Sequence, residues 1–116
     1  MLFGIDISER DDWVVVAARG DLDLATAPKV ASALSQLPAG AQRVVVDLSG
    51  VDLVDPTGMG VLAGLRSRLH RTGGCLVLSC TGPLLDELDR LGLARSFEVA
   101  ESVDAALLGD ACGRRP

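Results

Sequence analysis

A single α/β domain, with a mixed and mainly parallel sheet of about five strands and about four helices, is predicted by three observations. Aliphatic, strand-like runs alternate with segments of helical periodicity, which calls for βαβ crossovers and parallel pairing. The first two strand-like runs are separated only by a short polar stretch, so they add an antiparallel strand at the amino-terminal edge. The length of 116 residues suits one domain and leaves no room for a second.

The elements follow in order. Phe3, Ile5 and Ile7 alternate with Gly4, Asp6 and Ser8, and after the polar residues 9–12 the run Trp13 to Ala18 completes the antiparallel pair. Beyond the loop Gly20-Asp21-Leu22-Asp23, the segment Thr26 to Leu37 sets Val30, Leu34 and Leu37 on one helical face and stops at Pro38. Arg43 to Leu48 is a β-branched run that suits a central strand buried on both faces. Leu62, Leu65 and Leu69 recur at helical spacing between Met59 and Arg71, and Gly73-Gly74 supplies the stop. A strand over Cys75 to Cys80 is followed by a helix that opens at Gly82-Pro83 and closes at Gly92, with Leu84, Leu85, Leu88 and Leu91 as its apolar face. A short strand around Phe97 to Val99 and a helix over Ser102 to Leu108 complete the pattern. The domain is expected to span residues 1–112, with 113–116 as a flexible tail.

Composition excludes several classes of function. Sixteen acidic side chains against eleven Lys plus Arg give a net charge of −5, which argues against direct nucleic-acid binding. Apolar residues make up 48% and aromatics 3%, so the core is aliphatic and Trp13 reads as a packing residue. No apolar run reaches the ~18 residues of a membrane span. The first residues lack a basic, then apolar, leader, so no membrane insertion and a cytoplasmic location are expected. Cys75, Cys80 and Cys112 form no CxxC pair and are odd in number, against a disulfide scaffold or zinc site, and Cys75 and Cys80 read as inert packing groups.

The informative stretch runs from Val44 through Gly60, off a buried strand into a helix. Asp55 can accept hydrogen bonds from the free N–H groups of the first helical turn, and Pro56 is preset for the first helical position. Thr57 then lies in that turn with its hydroxyl near solvent, while Gly58 and Gly60 leave room for a partner to approach. The plain alternative is a helix cap and nothing more. A phosphate on Thr57 would add roughly −1.5 to −2 charges where the helix dipole tolerates them, so modification need not unfold the domain. Its effect would fall on a docked partner, with Asp21, Asp23, Asp52 and Asp55 crowding the new charge. Leu24, Thr26, Met59 and Val61 are expected to supply contact surface around it.

Gly20-Asp21-Leu22-Asp23 resembles the G-[ED]-[LI]-D loop of bacterial anti-sigma factor antagonists, and Leu48-Ser49-Gly50-Val51 through Gly60-Val61-Leu62 resembles their D-S-S-G-L-G-V-L segment. These proteins belong to the STAS-domain family, and the similarity continues through Gly73-Gly74, Leu76 to Ser79 and residues 91–93. The resemblance implies a single STAS-like domain that is a switch and not an enzyme, needing no cofactor or metal. It implies that Thr57 is phosphorylated by a partner anti-sigma factor with serine/threonine kinase activity and restored by a phosphatase. The unmodified form would sequester the anti-sigma factor and free the sigma factor. Pro56 departs from the family pattern, in which a serine is usual, and so removes one backbone donor and one hydroxyl.

Two other readings compete. One is a STAS module that is not phosphorylated and serves in a transport or sensor complex. The other is a small carboxylate-dependent phosphotransfer enzyme built on Asp21 and Asp23. That chemistry needs a downstream lysine, and Lys29 is the sole lysine in the chain; Thr26 is also one residue too far for DxDxT. Gly58-Met59-Gly60 with Gly64 matches neither the dinucleotide fingerprint nor a phosphate-binding loop. His70 has no Cys or second His at ligand spacing and reads as part of a solvated face with Arg68 and Arg71.

Overall fold

The computed structural model describes residues 2–38, 40–92 and 94–109. Five strands, β1 (Gly4–Arg10), β2 (Trp13–Leu22), β3 (Arg43–Val54), β4 (Cys75–Ser79) and β5 (Glu98–Ala100), lie in spatial order β1-β2-β3-β4-β5. β1 pairs antiparallel with β2, and every later pairing is parallel. The helices are α1 (Ala27–Leu34), α2 (Pro56–Arg71), α3 (Gly82–Arg90) and α4 (Val103–Leu108). The mixed sheet with its antiparallel edge, the central β3 and the helix number are as expected.

The sheet divides the apolar residues into two sets by strand alternation. Val14, Val16, Val44, Val46, Leu76 and Leu78 point to one face, where they meet Val30 and Leu34 of α1, Leu62, Leu65 and Leu69 of α2, and Leu84 and Leu88 of α3. Trp13, Val15, Val45, Cys75 and Val77 point to the other and are covered by α4 through Ala106. Trp13 is buried, with the Arg43 guanidinium 5.7 Å from its ring centre, which fits its reading as a packing residue.

Several boundaries differ from expectation. α1 ends at Leu34 instead of Leu37, because the chain turns at Ser35, whose hydroxyl donates to Ser32 O at 2.7 Å; Leu37 still packs on the core. β3 runs on to Val54, well past Leu48. Ser49-Gly50 reads as a turn in sequence, yet register shifts at Ala17/Arg19 and Gly20/Asp21 let β2 and β3 stay paired as far as Leu22 and Val54. Gly50 sits close against β2 there: a Cβ would stand 3.1 Å from Arg19 Cβ and 3.2 Å from Ala18 O, tighter than ordinary contact.

Cys80 is a free and buried thiol, as expected. Cys75 corrects the expectation of an inert packing thiol: it is disulfide-bonded, and an odd count of cysteines does not exclude a single bridge. The expected tail at 113–116 and the domain limit at residue 112 lie outside the described residues.

Candidate functional site at the mouth of α2

The extended pairing of β2 and β3 delivers two loops to one corner of the sheet. Asp55 follows β3 directly and its N–H donates to Leu22 O at 3.0 Å, which fixes the end of β3 against the end of β2. Its side chain then divides between two elements. Oδ1 accepts from Gly58 N–H at 2.9 Å, satisfying a free donor of the first turn of α2, and Oδ2 accepts from Leu24 N–H at 3.1 Å. One carboxylate thus caps the helix and ties down the loop after β2.

That loop is held from within as well. Asp23 Oδ1 accepts from the N–H groups of Ala25 at 3.0 Å and Thr26 at 3.1 Å. The Thr26 hydroxyl donates to Asp21 O at 2.6 Å and accepts from Asp23 N–H at 3.0 Å. Asp23 and Thr26 are half-buried, so their polar atoms serve the loop, while Asp21 and Asp52 are exposed.

Pro56 occupies the first position of α2 and Thr57 the second, both exposed. Gly58 is buried: a Cβ there would stand 2.5 Å from Leu22 O. The expectation that Gly58 leaves room for a partner is therefore corrected, because its missing side chain admits the backbone of β2. Gly60 differs: it is exposed, and a methyl group in place of its Hα would meet nothing within 4 Å. Met59 is a second correction. At 5% exposure it joins the core with Leu62, Leu65 and Leu69, so it offers no surface to a partner. The sequence carries the signal, since Met59 lies one helical turn before Leu62 on the same stripe. Val61 is half-buried.

Leu24 is 72% exposed, and Leu53, absent from the sequence-based set, is 49% exposed near the end of β3. Leu53 pairs in register with Asp21. The corner therefore presents two large apolar side chains, a solvent-facing threonine and exposed carboxylates. Among the described residues no group of three or more His, Cys, Asp or Glu is placed to hold a metal ion. Burial, reinforced by the charge of Asp89, pushes the Cys80 thiol up from its ordinary range, so it stays protonated and is a poor nucleophile. No helix among the described residues is long and apolar enough to cross a membrane.

Residues 4–106 match the STAS domain. The chain belongs to the STAS-domain family. The anti-sigma-B factor antagonist of Listeria monocytogenes is 34% identical over 116 residues, covering 95% of this chain and 98% of the relative. The anti-sigma-B factor antagonist of Staphylococcus aureus is 28% identical over 100 residues, covering 85% of each. A crystal structure of an anti-sigma factor antagonist from Mycobacterium paratuberculosis superposes with a TM-score of 0.82 at 26% identity, covering 91% of this chain and 92% of that one. The architecture of this STAS domain is accordingly that of its antagonist relatives, and the corner at Asp55 and Thr57 is the part of it where sequence motif and exposed chemistry coincide.

Proposed function

We propose that this STAS domain is an anti-sigma factor antagonist that docks its partner on the corner formed by the β2–α1 loop and the mouth of α2, and that phosphorylation of Thr57 releases the partner. One observation carries the reading: Thr57 is exposed in the first turn of a helix whose end is already fixed by the Asp55 side chain. A kinase can reach the hydroxyl without unfolding anything, and the helix N-terminus accommodates the dianion that results.

The partner is an anti-sigma factor with serine/threonine kinase activity, and a phosphatase restores the docking form. Docking covers Leu24 and Leu53, whose exposed area gives the hydrophobic contribution, while Asp21 and Asp52 set the charge of the rim. A phosphate placed among these carboxylates forces two like charges together or buries one without a partner, and either weakens the complex. The switch is a binding event with no chemistry performed by the domain itself, in a cytoplasmic setting.

The test is incubation with the cognate anti-sigma kinase and ATP, followed by intact-mass and peptide analysis. A gain of about 80 Da located on Thr57, abolished in Thr57→Ala, is the expected result, and the modified protein loses the anti-sigma factor in a pull-down. Unchanged mass with binding intact would instead place the chain among STAS modules that act unphosphorylated, the reading favoured by Pro56 at the position where serine is usual.

A further inference from the structure

The face of the sheet turned away from α1, α2 and α3 is only partly covered. α4 closes it over Trp13, Val15, Val45 and Val77. Beyond α4 the register sets Asp6, Ala17, Asp47 and Ser79 in one row across four strands, on the same face. A cleft of about 430 Å³ opens there, at the carboxyl end of β4 and beside the β5–α4 turn. Its size is that of a small-molecule site.

Two groups on its floor lack the partners they need. Ser79 is 2% exposed, and its hydroxyl makes no hydrogen bond with any described residue. Among the described residues no sealed polar side-chain atom lacks a partner, so what remains accessible of Ser79 is its hydroxyl, open to the cleft. Asp47, its register neighbour on β3, is half-buried; Oδ1 accepts from Ser49 N–H at 2.9 Å and Oδ2 accepts from no described residue. The ion pairs of the described residues are Arg10–Asp104, Arg19–Asp6 and Arg90–Glu87, which leaves Asp47 without a cation.

The rest of the lining sharpens the chemistry. Arg10 is committed to Asp104 at 2.7 Å, and Glu101 adds a further carboxylate, so the cleft is negative. Val15 and Val103 supply short apolar walls. Neighbouring strands lie about 4.8 Å apart, a spacing that one ammonium group bridges with N–H···O bonds of about 2.8 Å to each side. We infer that this cleft binds a primary ammonium on a short alkyl chain, the nitrogen held between Asp47 Oδ2 and Ser79 Oγ and the methylenes lying against Val15 and Val103. The site is on the opposite face of the sheet from α2 and does not depend on the Thr57 reading.

Titration of the isotope-labelled full chain with putrescine in about 0.15 M salt, followed by amide NMR, tests it. Saturable shifts are expected at Asp47, Ser49, Ser79 and residues 101–103, and none with succinate, a dianion of similar length. Asp47→Asn should weaken binding about tenfold or more and Ser79→Ala about threefold to tenfold. Absence of shifts, shifts spread over Asp21 and Asp52 as expected of loose counterions, or affinity unchanged in both variants would each overturn the assignment. Should a variant fail to fold, the wild-type shift map with the succinate control decides the matter alone.

Discussion

Gly58 and Gly64 lie in the same helix, yet their surroundings are opposite. A side chain on Gly58 would stand 2.5 Å from Leu22 O, whereas at Gly60 and Gly64 nothing comes within 4 Å. On the inner face of α2, glycine is required by the fold, because the helix mouth packs directly on the backbone that ends β2. On the outer face it costs about 1 kcal/mol relative to alanine at each position, and no described residue comes close enough to require it. Thr57, Gly60 and Gly64 share that outer stripe, so the helix is bare on the side where the proposed partner docks.

The largest expected effect comes from breaking the inner contact. Gly58→Ala should destabilise the domain by about 1–3 kcal/mol, since the obstacle is backbone and the helix mouth must shift to admit a methyl group. Urea unfolding followed by circular dichroism measures it, and a midpoint equal to wild type would show that the corner is looser than its geometry states. Asp55→Ala comes next, at about 1–2 kcal/mol for the lost helix cap. It should also free the loop, because Leu24 N–H loses the same carboxylate. Faster hydrogen exchange at both Gly58 and Leu24 is the signature; a change at Gly58 alone would separate the cap from the loop.

Much of this is legible in the sequence, and the failures have physical causes. Alternation in β1 and β2, the aliphatic run of β3 and the Pro and Gly punctuation of α2 and α3 are local signals, and they locate the sheet and its helices. The extension of β3 to Val54 is hidden because Ser49 and Gly50 carry turn propensity, and only pairing with β2 across a bulge keeps them extended. Asp55 as a cap can be read from its place before Pro56. Its second bond, to Leu24 N–H, joins residues brought together by the parallel register, and no local pattern encodes that. Met59 misleads for a different reason: the glycines around it suggest an open surface, while its own spacing to Leu62 already puts it inside.

Gly64→Ala sharpens the comparison from the outer side. With open space at the Cβ and helical backbone on either side, it should raise stability by about 0.5–1 kcal/mol, the reverse of Gly58→Ala. A parallel measurement of anti-sigma factor binding then shows whether the bare stripe matters to docking: tighter folding with weaker binding is the expected pair. Stability raised with affinity untouched would confine the interface to the helix mouth.

Thr57→Glu has the smallest expected effect on folding and the most specific one on function. The added carboxylate enters the first turn of α2, where the helix dipole favours negative charge by about 0.3–1 kcal/mol. Repulsion from the exposed Asp21 and Asp52 acts in the other direction through solvent and is screened. The two contributions are similar in size, so the melting temperature should move by no more than a degree or two. In a complex the solvent is removed, the screening goes with it, and the same carboxylate becomes an unpaired charge against the partner, which should weaken binding about tenfold or more. A melt lowered by many degrees would show that Thr57 supports the fold, and an unchanged affinity with an unchanged melt would place the partner elsewhere on the domain.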